Sequence, residues 1–181
     1  MSTKKTQKPT EQAEVIGLDE DEKTERIYFS HISGNTVFSV SEKASSISKF
    51  LNSFFIADSN DSDGRSKNKP LILKVEHGSD EIFEFIQTYM EYFEDKIESD
   101  PPQKPLPNNT HISAIFQSEY EIFSGIVTET DSLKIKLETL NKYIIVALYF
   151  DLKKLSTKLA AIVASLIQSK SLTQLKNLLG N

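Results

Sequence analysis

The change of pattern between residues 26 and 55 constrains this chain most. RIYFSHI and TVFSV, within Arg26 to Val40, are rich in β-branched and aromatic residues, and Ser33-Gly34-Asn35 between them supplies residues that tolerate positive φ. That combination predicts a β-hairpin. From Ser41 to Phe55 the spacing becomes helical: Ala44, Ile47, Phe50, Leu51 and Phe54 recur at three- and four-residue steps and gather on one face. A short apolar run follows, Pro70 to Val75, whose leading proline suits the start of a strand. Ser79 is placed to cap the next helix, with Asp80 and Glu81 at the positive end of its dipole. Ile82, Ile86, Tyr89, Met90, Phe93 and Ile97 form its apolar stripe. Two strands, a helix, a strand and more helices predict an α+β fold, a small sheet covered by helices.

The remaining segments set the boundaries. Residues 1–25 are polar and charged, and a mobile tail is expected because they cannot bury enough surface to offset their ordering entropy. Residues 57–69 read as a polar loop, and four prolines with two adjacent asparagines make 98–113 irregular. IFQSEYEIFSGIV, within Ala114 to Val127, fits a strand or a short helix equally. From Leu133 onward the chain reads as helices, over Thr139–Tyr149, Leu155–Gln168 and Leu172–Leu179, the last opened by a Ser171/Gln174 capping box and ended by Gly180. The organisation is therefore a tail, a domain over 26–154, and a helical extension over 155–181.

Composition narrows the chemistry. The 181 residues carry a formal net charge of -5, which disfavours nucleic acid and anionic membrane surfaces as partners. No apolar run approaches the ~20 residues that span a bilayer, and no apolar stretch follows the N-terminal lysines as a secretory signal requires. A cytoplasmic and nuclear protein is the expectation. With no cysteine there is no disulfide and no thiolate chemistry. His31, His77 and His111 lie in separate segments without ligand spacing. The acids at 19–22 read as solvated charge, and Asp58, Asp61 and Asp63 lack the partner glutamate of a calcium loop. No phosphate loop or nucleophile elbow is present. No cofactor or metal is expected, and a non-enzymatic role is favoured.

The C-terminal helices carry more apolar surface than a simple amphipathic stripe. Leu159, Ile162, Val163 and Leu166 make one face of LSTKLAAIVASLIQSK, and Ala160, Ala161, Ala164 and Ile167 widen it beyond the ~100° a surface helix needs. The last helix adds Leu172, Leu175, Leu178 and Leu179. Two readings stand side by side: these helices bury one another, or they offer a partner surface.

TLNKYIIVALYFDLKKL, Thr139 to Leu155, resembles the Skp-one family, adaptor subunits of SCF-type ubiquitin ligases, in its Ala-Asn-Tyr-Leu-Asp-Ile-Lys core. Ala147, Tyr149, Phe150, Asp151, Leu152, Lys153 and Leu155 fall in step with it. IVASLIQSKSLTQLKNLL continues without a gap and is similar to the family's next segment at Val163, Ala164, Ile167, Lys170 and Leu175. VFSVSEKASSISKFL and PLILKV resemble its first hairpin, helix and third strand. The resemblance implies a BTB/POZ-like domain followed by helices that bind an F-box, in a non-catalytic adaptor joining a cullin scaffold to an F-box substrate receptor. The family's cullin-contacting Asn-Tyr pair falls on Leu148 and Tyr149, so the asparagine is replaced by an apolar residue. The F-box face implied is Ile162, Val163, Leu166, Ile167, Leu172, Leu175 and Leu178.

The chain departs from the family in three further places. Leu172 stands where the family usually has proline, and the loops near Pro101–Asn109 and Ser124–Thr130 are longer. The family normally continues into a further acidic helix, and without one the interface is expected to fall below the ~1,600 Å² of stable complexes. The alternative expectation is an elongin-C-like or self-associating BTB module, a homodimer when unpartnered, that binds no F-box.

Overall fold

The computed structural model describes residues 25–56, 64–102, 116, 119–126, 131–168 and 170–179. The acidic stretches at 19–22 and 58–63 and His111 lie outside them. Strands β1 (Arg26–His31) and β2 (Phe38–Ser41) lead to helices α1 (Glu42–Ser45) and α2 (Lys49–Ile56). Strand β3 (Leu71–Leu73), α3 (Asp80–Tyr92), a single helical turn α4 (Tyr120–Phe123), α5 (Leu133–Tyr149), α6 (Lys153–Gln168) and α7 (Leu172–Leu179) follow. The chain is α+β, with a mixed three-stranded sheet flanked by helices.

The sheet order is β2-β1-β3, with β1 antiparallel to β2 and parallel to β3. Phe29 pairs with Phe38 on one side and Leu71 on the other, so Ile27, Phe29, His31, Phe38, Val40 and Leu73 share the buried face. A parallel neighbour needs a crossover, and α1 and α2 provide it. The Phe29 ring lies 5.9 Å from Phe83 of α3 and 5.6 Å from Phe150 at the end of α5. The first strand thus meets helices from the middle and the end of the chain in one aromatic cluster.

The helix starts follow their caps. Ser41, Ser79 and Ser132 accept the backbone N–H three residues on, opening α1, α3 and α5. The Ser132 cap starts α5 at Leu133, at the head of the stretch expected to be helical and six residues before Thr139. The helix predicted over Ser41–Phe55 is broken in two around Ser48. Helix α3 stops at Tyr92, so its stripe runs from Ile82 to Phe93, and Ile97 beyond it is 96% exposed.

Other expectations are also corrected. Among the described residues positive φ occurs at Gly64, His77 and Asp151, not at 33–35. Gly34 instead answers a close approach, because a Cβ there would collide with the Asp80 carboxylate. Glu25, assigned to the tail, is tied into the fold: its carbonyl accepts from Glu42 N at 3.1 Å and its carboxylate pairs with Arg65. The boundary expected between 154 and 155 falls inside α6. Leu155, Leu159 and Ile162 lie in the same core as the sheet, so the first half of α6 belongs to the domain. The ambiguous segment before Val127 contains α4, a helical turn whose Phe123 is buried.

Candidate interaction surface

The corner between α5 and α6 is built by Asp151. Its φ of 51° puts it in the left-handed region, where aspartate is tolerated better than most side chains. Leu152 N then donates to Ala147 O at 2.9 Å and Asp151 N to Leu148 O at 3.0 Å, the paired bonds of a Schellman turn. Leu152 is buried beneath the turn, an apolar contact that frequently accompanies that motif. The last turn of α5 is thereby fixed with Ala147 and Phe150 facing inward and Leu148 and Tyr149 facing outward.

Leu148 is 58% exposed and Tyr149 39%. Tyr149 is not isolated: its ring centroid lies 5.2 Å from that of Phe50 on α2, and Phe50 lies 5.4 Å from Phe54. Beneath them, Ser48 Oγ donates to Phe150 O at 2.7 Å and accepts from Leu51 N at 3.2 Å. One hydroxyl therefore starts α2 and fastens it to the end of α5. Sequence reasoning assigned Tyr149 to a contact surface but missed α2. The available signal was the run Phe54-Phe55-Ile56, since three consecutive apolar residues exceed one helical stripe. Ile56 ends α2 exposed, and the Arg65 guanidinium sits 5.3 Å from the Phe55 ring.

The second surface differs from the one expected. Ile162 is 1% exposed and packed in the core, so it is removed from the partner-facing set. The reason is its phase: it continues the Leu155–Leu159 stripe of α6 that faces inward. Val163 and Leu166 are half-buried at the margin of that core, and Ile167 is half-buried one position on. Leu172 on α7 is 70% exposed and Leu175 is half-buried. The side chain of Leu178 lies outside the described residues. The capping box is present as expected, with Gln174 Oε1 accepting from Ser171 N at 2.9 Å and Ser171 Oγ accepting from Gln174 N at 3.3 Å. None of the described α7 side chains is buried.

These two surfaces lie at opposite ends of α6. Its 16 residues place the α5 corner and the start of α7 about 22 Å apart along the helix, at the usual rise per residue.

A cleft of about 360 Å³ lies between the segment before β2 and α3, lined by Thr36, Val37, Phe38, Asp80, Glu84, Gln87 and Thr88. It contains two carboxylates, one of which, Asp80, accepts from Thr36 Oγ1 at 2.6 Å, and no histidine, lysine or arginine. Among the described residues no three His, Asp or Glu side chains gather as a metal site. No helix among them is long and apolar enough to cross a membrane. No protein-family model matches the chain, and no curated protein matches it in sequence.

Proposed function

We propose that this chain is a non-catalytic adaptor of the Skp-one type, with a BTB/POZ-like body, that joins a cullin scaffold to an F-box substrate receptor. The observation that carries the reading is the outward placement of Leu148 and Tyr149 within the very stretch that resembles the family. Element order supports it: hairpin, short helices, parallel third strand, α3, then the α5–α6 pair. An adaptor of this kind acts by placement, raising the effective concentration of substrate near the ubiquitin-charged enzyme. It needs no catalytic residue, cofactor or metal, and it would serve in the cytoplasm and nucleus.

The proposed cullin face is Leu148 and Tyr149, widened by Phe50. With leucine in place of asparagine, affinity there comes from apolar contact rather than a side-chain hydrogen bond. The proposed F-box face is Val163, Leu166, Ile167, Leu172 and Leu175, with Leu178 in sequence continuation. Partner capture with Tyr149→Lys and Leu172→Asp tests the assignment, because both positions are exposed; since the Tyr149 ring also touches Phe50 and Phe150, circular dichroism of each variant checks that the fold is kept. The first variant should lose the cullin and keep the F-box protein, and the second the reverse. If neither variant loses either partner, both surfaces are wrong.

A further inference from the structure

A lysine is sealed inside this protein. Lys158 of α6 is 0% exposed, and its Nζ lies 2.8 Å from Glu119 Oε2, a carboxylate that is itself buried. Nζ also donates to Tyr89 OH of α3 at 3.3 Å and sits 5.1 Å from the Phe93 ring centroid. The Tyr89 hydroxyl donates to Glu98, and Ser99 Oγ donates to the other oxygen of Glu119. One helical turn before Lys158, Lys154 pairs with Asp100 at 2.9 Å and donates to Glu98 O at 2.9 Å. The charged and titratable groups around Lys158 are thus Tyr89 from α3, Glu98 and Asp100 from the segment after it, Glu119 from before α4, and Lys154 from its own helix. Burial, and then the Glu98 carboxylate, push the Tyr89 hydroxyl far above the ordinary tyrosine range, so it stays a neutral donor.

Residues 119–126 have little regular structure to hold them, only the single turn α4. They are nonetheless docked. Phe123 stacks on Phe116 at 4.7 Å and meets Phe85 and Tyr89 of α3 at 6.2 and 6.3 Å. Glu119 is the charged anchor of this docking, and its cation comes from α6. A buried ion pair adds little net stability over an apolar pair of the same shape, whereas removing one partner strands the other charge.

We propose that the sealed Lys158–Glu119 pair is a latch that fixes residues 119–126 as a strap over the seam between α3 and α6, and that breaking the pair opens this strap as a unit while the sheet-and-helix core stays folded.

Amide hydrogen exchange on the intact chain tests it. The reporters are the amides of Ile122, Ser124 and Ile126, which donate to Glu119 O, Tyr120 O and Phe123 O within the strap. The amides of Phe150 and Leu152 report the core. Glu119→Gln should speed exchange at the three strap amides by about 100-fold or more, because it leaves the buried ammonium without its counter-charge, and leave the core amides at wild-type rates. The double variant Lys158→Met/Glu119→Leu should return the strap amides toward wild-type protection, since no charge is then stranded. If Glu119→Gln does not fold, Glu119→Asp keeps the charge, shortens its reach, and should give a smaller acceleration at the same amides. Strap amides at wild-type rates, equal acceleration of strap and core, or a double variant as fast as Glu119→Gln would each overturn the latch.

Discussion

Ser48 and Phe150 stand 102 positions apart in sequence and are joined by a buried hydrogen bond of 2.7 Å from hydroxyl to carbonyl. The same hydroxyl accepts from Leu51 N. Ser48→Ala removes a helix cap and leaves the Phe150 carbonyl without this donor. A loss of about 2 kcal/mol is expected, read as a lower denaturant midpoint at unchanged slope. It should also loosen the Phe50–Tyr149 contact, visible as faster side-chain exchange of those rings by NMR.

Asp151 tests the corner between α5 and α6. Its positive φ suits glycine better than any side chain, so Asp151→Gly should leave stability unchanged or raise it by up to about 1 kcal/mol. Asp151→Val places a β-branched residue in the left-handed region and should destabilise by about 1–2 kcal/mol or more. Chemical denaturation of the two variants against wild type reads this difference directly.

Ile162 of α6 is core, whereas Leu172 of α7 is exposed. Ile162→Ala should cost about 2–4 kcal/mol, as expected for a core truncation. Leu172→Ala, at an exposed position, should stay within about 0.5 kcal/mol. Equal losses at both sites would mean that α7 is packed into the core.

Alkaline pH offers a further test. Burial, and then the Glu81 carboxylate, push the Tyr143 hydroxyl up to about 12, and Tyr89 is shifted in the same direction. A group whose folded value is raised binds its proton more tightly in the native state. Its stabilisation is therefore complete below the unfolded value near ~10 and is lost as pH rises through about 12. Stability should fall across that window, and Tyr143→Phe should flatten part of the fall. In a phenolate absorbance titration, Tyr89 and Tyr143 should ionise only above the ordinary tyrosine range, or only with unfolding.

Much of this fold was written locally. β-Branched and aromatic residues marked β1 and β2, and Ser79 with its acids marked the start of α3. The capping box of α7 was read directly from Ser171 and Gln174. What was not legible depended on distant partners. Nothing near Ser48 announces Phe150. Ser33-Gly34-Asn35 tolerate positive φ, but what requires the glycine at Gly34 is a carboxylate 46 positions later, Asp80. Nor does a lysine in a helix announce that Lys158 is buried. Its position was the signal: it lies three residues after Leu155 and four before Ile162, on the buried stripe itself. Ile162 was misassigned for the related reason that a wide apolar helix does not say which of its edges faces inward.

In the proposed function, two apolar surfaces, one at the α5 corner and one across the end of α6 and α7, hold two different proteins at once. Light scattering coupled to size-exclusion chromatography measures this directly, using the chain mixed with the N-terminal part of a cullin and an F-box segment. A single species with one copy of each component is the result expected, and it should lose the cullin with Tyr149→Lys and the F-box with Leu172→Asp. A homodimer that takes up neither component would contradict the account.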